Sequence, residues 1–187
     1  MKNRLKIKKL ALTSVFIAIG IIIPILFHSV SMFGKIFLPM HIPVILCGII
    51  CGPVFGVTAA IMTVILSSII TGMPPLYPMA VIMIFELITY AIVSGVIIRL
   101  LRNRLNTIIT LYISLVVAML LGRLILGIAS VIFIGILGTG YSMEAFITGA
   151  FVTGLTGIII QLILIPWLII ILNKAHLINI NSATIII

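Results

Sequence analysis

Six apolar runs, separated by short basic or proline- and glycine-containing segments, dictate the medium in which this chain folds. They extend over Leu10–Phe27, His41–Cys51, Val54–Thr71, Pro78–Leu101, Thr107–Leu137 and Ala145–Leu172. A helix needs about 20 residues, at about 1.5 Å each, to cross roughly 30 Å of hydrocarbon, and most of the runs meet that length. With 64% hydrophobic and 7% charged residues, the chain cannot cover itself with a soluble surface, which carries about 25–35% charge. The expected fold class is an all-α membrane protein.

The second run is short, and Gly48, Cys51-Gly52-Pro53 and Gly56 signal a tight turn into the third. Runs two and three therefore read as a helical hairpin; the alternative is one kinked element, leaving five spans and the two termini on opposite sides. Charge asymmetry separates these. With six spans and the N-terminus inside, Lys2, Arg4, Lys6, Lys8, Lys9, Arg99, Arg102, Arg104 and Lys174 are all cytoplasmic, Lys35 alone is outside, and Arg123 lies within a span. Five spans would put either the N-terminal lysines or Arg99–Arg104 on the wrong side. The expectation is a single six-helix membrane domain over residues 1–176, both termini cytoplasmic, with an unassigned tail at 177–187. The basic start also resembles a secretory signal peptide, but its apolar run is long and further spans follow, so the first span is expected to stay.

A net charge of +9 does not point to nucleic acid, because the basic residues fall at the ends of apolar runs rather than on a polar or aromatic surface. Gly34-Lys35 lacks the upstream glycine of a phosphate loop, so the chain is not expected to hydrolyse ATP. No His-Glu-x-x-His pair occurs, and no cofactor or metal is expected. An intramembrane enzyme using Ser67 or Ser68 with His41 is the weaker alternative, since hydroxyls in membrane helices mostly bond their own backbone or join helices. Cys47 and Cys51, spaced i, i+4, suit small packing positions better than a disulfide or a metal site.

Arg123 and Glu86 are the residues most telling for function. A charge at mid-bilayer costs roughly 2.5–3.5 kcal/mol on insertion scales, so it faces a cavity or a partner. Glu86 is the only carboxylate within a span. The outward face holds the remaining special chemistry: a long first loop from His28 to His41, a proline-rich loop from Gly72 to Pro78 next to Ser67, Ser68 and Thr71, and a third loop from Gly138 to Met143. Fixed proline φ angles lower the entropy lost when such a loop clamps a ligand. Its plainer reading is a tight turn with Tyr77 as an interfacial anchor.

Leu38-Pro39-Met40-His41-Ile42-Pro43-Val44, Gly48, Cys51-Gly52-Pro53-Val54-Phe55-Gly56, Leu66-Ser67-Ser68, Thr71 to Met79 and Phe85-Glu86-Leu87 together resemble the substrate-specific S components of energy-coupling factor transporters. The resemblance implies a six-helix subunit in the bacterial cytoplasmic membrane. Such a subunit binds a vitamin or related micronutrient from outside and works with a membrane coupling subunit and two cytosolic ATPases. Family members often carry Ala-x-x-x-Ala on the first helix for docking; here Ala11 is followed by Val15, with Ser14 and Ala18 as the nearby small residues. The block from Leu38 to Glu86 looks most like members for pantothenate or for a corrinoid precursor such as dimethylbenzimidazole.

The substrate-binding set implied is Arg123, Glu86, His41, Ser67, Thr71, Tyr77 and Tyr90, with Lys35, Met40, Pro74 and Pro75 in gating loops. Pantothenate is an anion that Arg123 would hold through a two-pronged contact, while Glu86 accepts a ligand donor. A neutral benzimidazole would use Glu86 and Tyr90 without Arg123. Alternatively Arg123 and Glu86 pair as a structural strut. Outside the transport-subunit reading stand a membrane scaffold with no ligand and a stand-alone secondary transporter, for which no matched inverted repeat is visible.

Overall fold

The computed structural model describes residues 2–28, 40–136, 154–175, 177–179 and 184–185. Helix α1 spans Lys2–His28, α2 His41–Ile50, α3 Pro53–Thr71, α4 Val81–Leu101, α5 Thr107–Ser130 and α6 Gly154–Lys174. A wide turn at Leu76–Ala80 leads into α4, and α5 continues in π geometry through Val131–Ile136. Beyond α6, Ile178–Asn179 (β1) pairs antiparallel with Thr184–Ile185 (β2).

Among the described residues five helices are long and apolar enough to cross a membrane, and α2 is a shorter apolar helix. Their surfaces are inverted relative to a water-soluble protein. Ile69, Leu100, Leu120, Ile163 and Trp167 are exposed, whereas Thr63, Ser67, Glu86, Ser94, Ser114 and Gln161 are buried. Hydrocarbon cannot hydrogen-bond, so polar groups turn inward and several hydroxyls donate to the carbonyl one turn back, as Ser94 does to Tyr90 at 2.6 Å and Ser130 to Leu126 at 2.7 Å.

Helix α2 is the centre of the bundle. Its ten residues are all buried, and at about 1.5 Å per residue they cover only about half of the hydrocarbon thickness. It packs against α1, α3, α4 and α6. A helix apolar on every side has no face for water and is stable only when enclosed.

The turn after α2 makes runs two and three a hairpin rather than one kinked element. Gly52 sits at φ 106, a left-handed conformation that suits glycine, and Pro53 then starts α3 where its missing N–H is not needed. The arms touch through backbone. A Cβ added at Gly56 would lie 2.7 Å from the Gly48 Cα, and one added at Gly48 would lie 2.6 Å from the Ala91 carbonyl oxygen of α4. Lipid supplies no hydrophobic force between helices, so close approach of small residues is what joins them.

Two run boundaries differ from the hydrophobic pattern. Helix α1 begins at Lys2 rather than Leu10, because lysine and arginine are good helix formers even where the sequence is not apolar. Helix α6 is described from Gly154; residues 145–153 of the sixth run lie outside the described residues. At one end of the bundle the Arg99 side chain packs against Gly52. Thr13 lies at the same end, accepting a 3.6 Å bond from the Cys47 thiol while donating to the Lys9 carbonyl at 2.7 Å.

The glycine contact should be the most substitution-sensitive apolar feature of the fold. Gly56→Ala should destabilise by about 1–3 kcal/mol or more, since the obstructing atoms are the Gly48 backbone and the Ala91 Cβ, none of which can swing aside. Val54→Ala, at a side chain 77% exposed, should stay within about 0.5 kcal/mol. Melting of both variants in the same detergent checks this, and equal stability would refute the close-packing account.

Candidate functional site

Four helices deliver the polar cluster near the opposite end. His41 opens α2, Glu86 and Tyr90 lie one turn apart on α4, Arg123 is on α5 and Gly154 is on α6. The i, i+4 spacing stacks Glu86 and Tyr90 on one helix face. The Tyr90 hydroxyl donates to Glu86 Oε1 at 2.7 Å, and His41 Nε2 stands 3.4 Å from Glu86 Oε2. The His41 and Tyr90 rings are tilted against one another with centroids 5.7 Å apart. Arg123 Nη1 approaches Glu86 Oε1 to 3.5 Å.

These distances rank the contacts. Glu86 is 2% exposed and its shortest bond is to Tyr90, while the guanidinium stays beyond the about 2.7–2.9 Å of a strong charge-assisted bond. Attraction between opposite charges still operates at that range in a poorly screening interior. Glu86 is thus fixed by two neutral-capable partners and balanced by a nearby cation.

Glycines make the room. Gly122 faces the Tyr90 ring so closely that a Cβ would overlap it, and a Cβ at Gly154 would lie 2.7 Å from Arg123 Nη2. Beside Arg123, which is 12% exposed, a shallow, wide-open cleft of about 460 Å³ runs along the surface of α5 past Leu124, Gly127, Ile128, Val131 and Ile132. Arg123 is the charged group of that cleft among the described residues.

Of the residues singled out from sequence, Arg123, Glu86, His41 and Tyr90 come together. Ser67 and Thr71 form a separate group. The Ser67 hydroxyl donates to the Met73 carbonyl at 2.9 Å, and Thr71 Oγ1 is 2.8 Å from the Ser67 carbonyl, 3.0 Å from the Met73 carbonyl and 3.1 Å from the Met73 N–H. Both hydroxyls hold the start of the proline-rich loop that carries Pro74 and Pro75. Tyr77, 53% exposed, meets Phe133 edge-on at 6.3 Å, and Phe133 stacks on Phe85 at 6.1 Å, so aromatic contacts bind that loop to the end of α5. Met40 is buried just before α2, and Lys35 lies outside the described residues. On α1, Ala11, Ser14 and Ala18 are exposed.

Gly122 and Gly154 escaped the sequence reading. The signal for Gly122 was its place directly before Arg123; for Gly154 there was none without the helix register. Gln161, two turns beyond Gly154 and 1% exposed, was likewise unremarked.

No curated protein and no solved structure matches the chain. The model of the substrate-specific component of ECF transporters matches over residues 8–169, which takes in all six helices except the ends of α1 and α6. Members of that family bind small-molecule substrates and work with a membrane coupling subunit and ATPases. By this match, over most of its length, the chain belongs to the ECF transporter substrate-specific component family.

Proposed function

We propose that this substrate-binding subunit captures an anionic vitamin-like solute, best matched by pantothenate, from the outer side of the cell membrane. The observation carrying this reading is the Arg123 guanidinium, which borders the cleft along α5 while Glu86 is enclosed behind it. A carboxylate ligand would meet the cation first. Glu86, engaged by Tyr90 and His41, would then orient Arg123 rather than contact the solute, so that the strut and the binding group are parts of one device. A neutral benzimidazole has less support, because the Tyr90 hydroxyl it would need is bonded to Glu86.

In this proposal α2 counts as the second of six passes, both termini and the Arg99–Arg104 segment are cytoplasmic, and the loop from Gly72 to Pro78 with Lys35 and Met40 forms the rim. Ala11, Ser14 and Ala18 would present the docking stripe to the coupling subunit, small enough for close helix approach. Two cytosolic ATPases would supply the energy, since the chain lacks a phosphate loop.

Three outcomes are expected. Cysteines placed singly in residues 99–106, on a background lacking Cys47 and Cys51, should react with impermeant reagent only from the cytoplasmic side; labelling from outside would sink the six-pass arrangement.

Uphill accumulation of pantothenate in sealed vesicles should require the coupling subunit and the ATPases together. Accumulation by this chain alone would overturn the division of labour.

Arg123→Ala should abolish pantothenate-induced thermal stabilisation, and Arg123→Lys should weaken it, because an ammonium keeps the charge but loses the planar fork. A loss of about 3 kcal/mol, over a hundredfold in Kd, is the scale for removing one partner of a buried charged contact. Glu86→Ala should lower the melting temperature by leaving Arg123 without its counter-charge. An Arg123→Leu, Glu86→Leu double variant that melts normally and binds pantothenate normally would remove both residues from the site.

A further inference from the structure

Gln161 is the only glutamine of the chain, and it is 1% exposed on the inward face of α6 that also carries Gly154 and Gly157. Neither its Nε2 nor its Oε1 has a hydrogen-bond partner among the described residues. The buried hydroxyls of Thr63, Thr110 and Ser114 are in the same condition, but each can turn to the carbonyl one turn back, as Ser94 and Ser130 do. A glutamine has no such recourse. Its Oε1 needs a donor, and inside a helix the backbone N–H groups are spent on the ladder. In a hydrocarbon interior an unpaired carboxamide is costly, so a partner bringing both a donor and an acceptor is strongly favoured there.

The place of Gln161 says which partner can reach it. The Arg123 guanidinium lies against Gly154, and from Gly154 to Gln161 α6 rises about 10 Å at about 1.5 Å per residue. Gly157 lies between them on the same face and contributes no side chain. Helical side chains lean back toward the N-terminus, which brings the carboxamide toward the guanidinium. A carboxylate on that guanidinium, two methylenes and an amide nitrogen cover most of the remaining span. When a hydroxyl sits on the carbon beside the amide carbonyl, the amide N–H and the hydroxyl oxygen lie along one edge, a donor next to an acceptor. The primary carboxamide of glutamine offers the complement, Oε1 for the N–H and Nε2 for the hydroxyl oxygen.

We propose, resting on the reading of Arg123 as the carboxylate site, that Gln161 is a specificity-determining residue that binds the N–H and hydroxyl edge of an α-hydroxy amide in the solute. The solute then lies with its carboxylate at the cleft and its amide inward along α6. After α1, α6 is the least buried of the described spans, so the Gln161 face is the one that opens with the least loss of packing.

The probes are pantothenate, which has this arrangement of carboxylate, amide and hydroxyl, and its ester analogue, in which oxygen replaces the amide N–H at unchanged length and charge. By titration calorimetry in detergent, the unsubstituted chain should bind the ester about tenfold more weakly, the scale of leaving one buried acceptor unpaired. Gln161→Met, similar in length but unable to form these bonds, should weaken pantothenate about tenfold and bind the two probes alike. Without ligand this variant should melt no lower than the unsubstituted chain, because an unpaired carboxamide has left the core. Equal binding of both probes by the unsubstituted chain would overturn the assignment whether or not the variant folds. A preference that survives Gln161→Met means that another residue reads the amide edge, and a lower melting temperature with the preference intact makes Gln161 a packing residue; either overturns the assignment. In these cases the Arg123 reading stands if Arg123→Lys still weakens pantothenate, whereas failure of the unsubstituted chain to bind pantothenate overturns both.

Discussion

The backbone contact between α2, α3 and α4 at Gly48, Gly56 and Ala91 is the constraint on which the rest of the molecule depends. In water, apolar helices are driven together by the solvent; in lipid they are held by what fits. Helices α2 and α4 run parallel, since His41 meets Glu86 and Tyr90 while Gly48 meets Ala91 and Gly95. Seven residues separate Gly48 from His41, a rise of about 10 Å, and a similar stretch of α4 separates its glycine-facing turn from Glu86. The small-residue crossing at one level therefore sets which residues face each other at the next. A side chain inserted at Gly48 would act on the charged cluster through displacement of α2, not through any contact with it.

Glu86 shows how a carboxylate is kept inside such a bundle. Its desolvation is opposed by a phenol at 2.7 Å, an imidazole at 3.4 Å and a guanidinium at 3.5 Å, contributed by three different helices. Removing one partner of a buried charge group is costlier than removing all of them, because what remains is unpaired. The arrangement also makes helix placement and charge placement interdependent: Arg123 stands where it does partly because Gly122 lets α5 close on Tyr90 and Gly154 lets α6 lie against the guanidinium.

Much of this was legible in the residues. The apolar runs located the helices, Cys51-Gly52-Pro53 located the hairpin turn, and the scarcity of charge singled out Glu86 and Arg123, which the structure brings to 3.5 Å. What was not legible depends on rotation about helix axes. Nothing in the spacing of Ser67 and Thr71 distinguishes hydroxyls that face a solute from hydroxyls that tie down Met73, and only the latter contacts are seen among the described residues. Likewise, a ten-residue apolar helix is too short to span on its own, but that it is enclosed on every side follows from its neighbours rather than from its composition.

On the proposed reading, the long Arg123–Glu86 separation is itself informative. Ligand affinity at a charged site is the difference between the new contact and the one given up. A guanidinium locked in a fork with Glu86 would surrender nearly as much as it gained on meeting a solute carboxylate. One held at 3.5 Å has its position and charge stabilised by Glu86 while its strongest hydrogen-bonding geometry is not spent on that carboxylate. The carboxylate, meanwhile, keeps Tyr90 and His41 as partners whichever way the guanidinium leans.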